Sequence, residues 1–243
     1  MIDIKGKWAL VTGASRGIGY EASVYLAEKG CNLVLHGRNE KHLEKTYSEV
    51  KGFGVDARII GADLSSPKAV DDMLNEIDSW DFDIEVILNN AGIMTSYHSD
   101  FHETPVEEFN ISFQVNLIAP LIICYHFLPK MKNRGFGRIV NTTSGIMNTP
   151  ELAGYSGSKA ALDKCTKDIG TRYEGTDVMI NLVDPGWLRT DMGGSQAPND
   201  VKSSIPGVVM GAFLDDRKSG RIIRAQEYSG MSLENAVRLF QKK

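Results

Sequence analysis

Short apolar runs alternate with longer amphipathic stretches along the chain, the pattern of β-α-β units feeding a parallel sheet. It predicts strands at Trp8–Val11, Asn32–His36, Ala57–Ile60, Ile84–Leu88, Arg138–Asn141, Met179–Val183 and Arg221–Ile223. A helix is expected over Gly19–Lys29, where Ala22, Tyr25 and Leu26 fall at helical spacing and Gly30 is a stop signal. A polar helix follows at Glu40–Lys51, then one at Pro67–Ile77, with Ser65 or Ser66 available as N-cap and Pro67 suited to its first turn. Two long helices are predicted, Val106–Lys132 and Tyr155–Tyr173, and Pro120 should kink or loosen the first because proline has no N–H to donate. The stretch Gly193–Pro206 is rich in Gly, Ser, Asn, Asp and Pro and reads as a surface loop or short mobile helix, a lid candidate. No repeat or composition shift divides the chain, so residues 1–243 are expected to form one domain.

The composition fits that architecture. With 243 residues, 42% hydrophobic and 24% charged, the chain can bury a sizeable core and is neither disordered nor fibrous in character. Its 27 basic and 31 acidic residues give a formal charge of -4, so no positive field draws it to nucleic acid or an anionic membrane, and a small molecule is the expected partner. The longest apolar run, Leu117–Cys124, is interrupted by Pro120 and is too short for a membrane span. Cys31, Cys124 and Cys165 form no close-spaced pair, which suits a reducing, cytoplasmic setting. The histidines, including His98 and His102, are expected to be solvated or packed rather than metal ligands.

Candidate chemistry begins after the first strand, at Thr12-Gly13-Ala14-Ser15-Arg16-Gly17-Ile18-Gly19. Glycines there let the backbone turn tightly and approach a pyrophosphate, while free N–H groups at the following helix start attract its charge. The second strand runs into His36-Gly37-Arg38-Asn39. A carboxylate at that place would bind both ribose hydroxyls of NAD(H); Arg38, with Arg16, instead offers cations to a 2′-phosphate, so NADP(H) is the expected cofactor. Asp63, with Leu64 beside it, follows the third strand where it could bond an adenine amino group or merely cap a helix. Tyr155 and Lys159 lie four apart on a helix and project from one face. A cation about 4 Å from a phenol at an effective dielectric near 20 is worth roughly 4 kcal/mol, or about three pKa units, so Lys159, helped by an oxidised nicotinamide, is expected to bring Tyr155 into working range.

Together with Asn89-Asn90-Ala91-Gly92, Asn116, Ser144 and Asp184-Pro185-Gly186-Trp187-Leu188-Arg189-Thr190, these motifs make the chain resemble a short-chain dehydrogenase/reductase over essentially its whole length. The resemblance implies a single Rossmann-type α/β domain, three layers around a seven-stranded parallel sheet, with cofactor and substrate at the carboxyl ends of the strands. It implies that Tyr155 is general acid in carbonyl reduction and general base in alcohol oxidation. Lys159 would hold the nicotinamide ribose and depress the tyrosine pKa, Ser144 would bond the reacting oxygen, and Asn116 would anchor a water leading to Lys159. Asn90, Ala91 and Gly92 would lie along the cofactor; Pro185, Gly186, Leu188 and Thr190 would embrace the nicotinamide.

Ser144 and Tyr155 are eleven positions apart, two fewer than that family commonly shows, and Thr142 would restore the usual spacing. The strand entry Gly137-Arg138-Ile139-Val140 registers with Ser144, which is preferred, with Thr142 as the alternative. Met94, Met147, Trp187 and Met192 fall on loops near the inferred site and suggest an apolar pocket for a hydrophobic ketone or aldehyde. A 3-oxoacyl thioester is the alternative substrate, and a non-catalytic NADP(H)-binding sensor or scaffold the alternative of a different kind. A homodimer or homotetramer formed through the two long helices is expected from the resemblance.

Overall fold

The computed structural model describes residues 1–243. Seven strands form one parallel sheet in the order β3-β2-β1-β4-β5-β6-β7: β1 Trp8–Val11, β2 Asn32–Gly37, β3 Ala57–Gly61, β4 Ile84–Asn89, β5 Gly137–Thr142, β6 Val178–Asp184 and β7 Ile222–Arg224. The helices are α1 Gly17–Glu28, α2 Glu44–Lys51, α3 Pro67–Asp78, α4 Val106–Phe113, α5 Ala119–Arg134, α6 Ala153–Gly170, α7 Val201–Val209 and α8 Leu233–Gln241. The strand order reverses between β1 and β4, and at such a switch point the loops from the carboxyl ends of the two strands diverge and leave a crevice.

Successive strand residues feed opposite faces, as a period of two requires. Ala9 and Val11 of β1, Leu33 and Leu35 of β2, and Val86 and Leu88 of β4 join the core beneath α1, α7 and α8. Leu10, Val34 and Ile87 join the core beneath α3 and α5, against Met73, Ile77, Ile123 and Phe127. Because both faces are covered, the strands read as nearly continuous apolar runs.

Several elements differ from their sequence expectation. The long helix expected at 106–132 consists of α4 and α5 joined by a wider, π-type turn over Gln114–Ile118, in which the Ala119 N–H donates to the Gln114 carbonyl. In an α-helix the Asn116 carbonyl would take its bond from residue 120, and Pro120 has no N–H; the backbone widens before the proline instead of kinking at it. By length and composition this 29-residue run could cross a bilayer, yet half of its apolar window is buried inside the fold. The helix expected at Glu40–Lys51 opens with a 3₁₀ turn, Glu40–Leu43, capped by the Asn39 side chain. The stretch 193–206 divides at Asp200, which caps α7 through the Lys202 N–H; Val201, Ser204 and Ile205 are buried. Pro206 is accommodated inside α7, and Gly207 lets that helix lie against Ala225, whose Cα is 2.4 Å from where a Cβ on residue 207 would sit. The terminal helix α8 was not expected, although Ser232 caps it and Leu233, Ala236, Val237 and Phe240 recur at helical spacing.

Arg138 on β5 is fully buried, with Nε donating to the Leu214 carbonyl at 2.8 Å and a terminal nitrogen to the Asp177 carboxylate at 2.6 Å. It ties the amino end of β5 to the segment before β6 and to the chain following α7. Arg138→Leu removes the donors and leaves buried carbonyls unpaired, so urea unfolding should show a loss of roughly 3 kcal/mol.

Candidate active site

At the carboxyl end of β1 the chain turns back under two left-handed glycines, Gly13 (φ +67°) and Gly17 (φ +56°). Gly19 admits no side chain, because a Cβ there would lie 2.2 Å from the Gly13 carbonyl oxygen and 2.6 Å from the Asn90 amide nitrogen. The turn is fastened across the switch point. Thr12 Oγ1 accepts the N–H groups of Asn90 and Ala91, each at 3.0 Å, and the Asn90 amide donates to the Thr12 carbonyl at 3.0 Å. Helix α1 opens from this turn with no side-chain cap and no acidic residue in its first turn. Its start, with the N–H groups around Ser15, Arg16, Gly17 and Ile18, therefore suits an anion, and a dinucleotide pyrophosphate fits the residues present.

His36, at the end of β2, was not among the expected site residues. Its buried ring joins three elements: Nδ1 accepts the Gly13 N–H at 3.4 Å, and Nε2–H donates to the Ala62 carbonyl at 3.1 Å. Burial pushes its pKa down from 6.5 to about 4, so it braces the glycine turn as a neutral imidazole. Asp63 accepts the Ser65 N–H at 2.9 Å, while Ser66 caps α3. Bonds from Ser65, with Arg38 adding its charge, hold the Asp63 carboxyl below the usual range. Leu64 beside it is buried. Arg38 is exposed at the β2 end; Arg16 is paired with Asp191 at 2.6 Å, bridging the glycine turn and the loop after β6. Pro185, Gly186, Leu188 and Thr190 occupy that loop, and Thr190 Cγ2 would lie 3.3 Å from a Cβ on Gly17. Thr190 Oγ1 accepts the Gly193 N–H at 3.0 Å.

Asn116, Ser144, Tyr155 and Lys159 gather at the carboxyl ends of β4 and β5. The widened turn before Pro120 carries Asn116 inward, where its amide pairs twice with the Ile93 backbone, both at 2.9 Å, and donates to Ser158 Oγ at 3.1 Å. Lys159 is buried and donates to the Thr142 carbonyl at 2.7 Å. Gly92 fits between the two: a Cβ there would be 3.2 Å from Asn116 Oδ1 and 3.5 Å from Lys159 Nζ. Ser144 Oγ accepts the Ile146 N–H at 3.3 Å and lies close enough to Tyr155 to favour its ionised form. Thr142 is buried at the end of β5 and accepts from Lys159 through its backbone carbonyl, while Ser144, not Thr142, is the hydroxyl whose hydrogen bonding acts on Tyr155.

The electrostatics differ from the expectation that Lys159 draws the phenol toward neutrality. Burial dominates and raises the Tyr155 pKa; the Ser144 hydrogen bond lowers it and the Asp184 carboxylate raises it further. Lys159 is itself pushed down to about 8 by burial, with Asp163 opposing, and it spends its hydrogen bond on a neutral carbonyl. In the chain alone, then, Tyr155 is a protonated phenol at neutral pH.

Met94, Met147, Trp187 and Met192 are all exposed on loops, joined in exposure by Tyr97 and Phe101, which sequence reasoning did not single out. The loop after β6 is held by its own bonds: the Trp187 indole N–H donates to the Gly193 carbonyl at 2.8 Å, and the Asn199 amide to the Trp187 carbonyl at 3.2 Å.

Comparison with known proteins accords with this geometry. Residues 7–200 match the short chain dehydrogenase family, and the chain belongs to it. It is 32% identical over 196 residues to a short-chain type dehydrogenase/reductase of Picea abies, covering 77% of this chain and 72% of that protein. It is 30% identical over 204 residues to an NADPH-dependent aldehyde reductase-like chloroplastic protein of Arabidopsis thaliana, covering 79% and 76% of the two chains. The crystal structure of an NAD+-bound xylitol dehydrogenase superposes with a TM-score of 0.81 at 27% identity, covering 92% of this chain and 98% of that one.

The His36 environment yields a pH signature. The folded value near 4 lies below the ordinary 6.5, so as pH falls the unfolded chain takes up the proton first. That contribution to stability is fully present above pH 6.5 and is lost progressively toward pH 4, amounting to roughly 3 kcal/mol. Chemical denaturation across this window should show the loss in the parent protein, and His36→Gln, which keeps one donor and one acceptor, should flatten it.

Proposed function

We propose that this member of the short-chain dehydrogenase family is an NADP(H)-dependent oxidoreductase that interconverts a carbonyl and a secondary alcohol, acting on a small hydrophobic ketone or aldehyde. The observation that carries this reading is the half-buried Tyr155 with the buried Lys159 held one helical turn away on the same helix and Ser144 nearby. When bound, the dinucleotide supplies hydride to the carbonyl carbon or accepts it from the alcohol. The glycine turn and the uncapped start of α1 hold its pyrophosphate, and Arg38 and Arg16 favour a 2′-phosphate. Ser144 holds the carbonyl oxygen by a hydrogen bond that strengthens as negative charge develops there. Tyr155 donates its phenolic proton to that oxygen, so hydride and proton together make the alcohol and leave a phenolate. Lys159, still largely charged near neutral pH, stabilises that phenolate, and Asn116 shapes the route by which the proton is replaced. Because burial keeps Tyr155 protonated, the chain by itself is set for the reductive direction.

The exposed Ile111, Ile118 and Tyr125 on α4, the π-type turn and α5 support pairing of two copies through these helices. The free thiols Cys31, Cys124 and Cys165 support a reducing, cytoplasmic setting.

Oxidation of NADPH with a panel of hydrophobic ketones, aldehydes and a 3-oxoacyl thioester tests the reading. Tyr155→Phe should lower kcat by about 10²- to 10⁴-fold with NADPH affinity retained. Arg38→Asp should weaken NADPH binding by about tenfold or more and spare or improve NADH, measured by calorimetric titration of the two cofactors. Tight NADPH binding without turnover of any carbonyl would favour a sensor.

A further inference from the structure

Asp184, the last residue of β6, lies close enough to Tyr155 for its charge to act on the phenol. Its Oδ1 accepts the Gly186 N–H at 3.0 Å, which shapes the start of the loop holding Pro185 to Thr190. Its Oδ2 takes no hydrogen bond from the protein. That oxygen lies over Gly145, where a Cβ would come within 2.7 Å of Asp184 Oδ2 and push it aside. Gly145 directly follows Ser144, so a carboxylate oxygen with spare acceptor capacity sits one residue from the hydroxyl that would hold the substrate carbonyl. A turn-forming role accounts for Oδ1 alone; Asn would serve that role equally well without bringing a negative charge to the site.

We propose that Asp184 is a specificity-determining residue whose free Oδ2 accepts a hydrogen bond from a hydroxyl on the carbon next to the reacting carbonyl, selecting apolar α-hydroxy ketones and their vicinal diols. The inference rests on the oxidoreductase reading above and narrows its substrate class. A half-buried carboxylate gains a charge-assisted bond from such a donor, whereas a substrate lacking the donor buries the oxygen against carbon and loses its hydration. The exposed Trp187 and Met192 on the same loop suit the apolar remainder of the molecule. The Asp184 charge is also felt by Tyr155, alongside the Ser144 hydrogen bond, and by Asp163 on α6, which further faces Thr143, Lys167 and Lys159.

The test compares 2-hydroxyacetophenone with 2-methoxyacetophenone, which keeps the oxygen but has no proton to donate, in wild type, Asp184→Asn and Asp184→Ala with NADPH. The wild-type kcat/KM ratio of hydroxy to methoxy ketone should fall about tenfold in Asp184→Ala, chiefly through the hydroxy ketone. In both variants the basic limb of the pH–rate profile, which reports Tyr155, should move to lower pH. A ratio unchanged within about twofold in both variants would overturn the proposal while leaving the reductase reading intact. If wild type reduces neither ketone, the reductase reading fails on these substrates. Calorimetric binding of 1-phenylethane-1,2-diol against 1-phenylethanol to the NADP+ complex then decides separately: equal affinity in wild type overturns the proposal, and a diol preference lost in Asp184→Ala supports it.

Discussion

The side-by-side pairing of β1 and β4 is the constraint on which the site depends. These strands are separated in the chain by two complete strand-and-helix units, yet they are neighbours in the sheet. Their carboxyl ends are sewn together by Thr12 and Asn90. That seam sets how closely the glycine turn approaches the strand beside it. A Cβ on Gly13 would lie 2.9 Å from the Ala91 Cα. The uncapped start of α1 and the Asn116–Lys159 corner next to Gly92 are thereby brought to the same end of the sheet.

Burial governs His36, Tyr155 and Lys159 at that end of the sheet, and it acts on all three in one direction: toward the neutral form. It keeps His36 uncharged so that one ring nitrogen can accept and the other donate, it raises Tyr155, and it lowers Lys159. A phenol held neutral is ready to give a proton, and a lysine lowered to about 8 is close enough to neutrality to exchange one. The same low-dielectric setting favours paired amides nearby, although the Asn89 Oδ1 itself is buried without a partner. Asn89 donates to Asn141 at 2.8 Å, and Asn141 in turn to Thr166 at 2.9 Å, a buried chain that locks β4, β5 and α6 together directly beneath Thr142.

Where sequence reasoning went astray, a local rule was overridden by packing. The Gly-, Ser- and Pro-rich stretch 193–206 reads as a surface loop or short mobile helix, but its second half opens α7, held by burial of Val201, Ile205 and Val208, and Gly207 allows close approach to Ala225. Pro120 announced a disturbance whose position lay one turn earlier, at the residue whose carbonyl lost its partner. The expectation for Tyr155 applied a charge at an assumed distance and left out desolvation, which only a folded structure supplies. His36 gave no signal of its role, because nothing in a short apolar strand says which neighbouring turn its last side chain will meet.

The sequence by itself determined the alternation of strands and helices, the parallel sheet, the glycine turn and the identities of Asn116, Ser144, Tyr155 and Lys159. Those features follow from periodicity, from residues with special backbone freedom and from motifs read in order, all of which are local. The tertiary structure alone decided that His36 braces the glycine turn, that Arg16 meets Asp191, and that Asp184 Oδ2 lies without a protein partner beside Gly145. Each of these is a meeting of segments distant in the chain, and its electrostatic consequence depends on how much water the fold leaves around it.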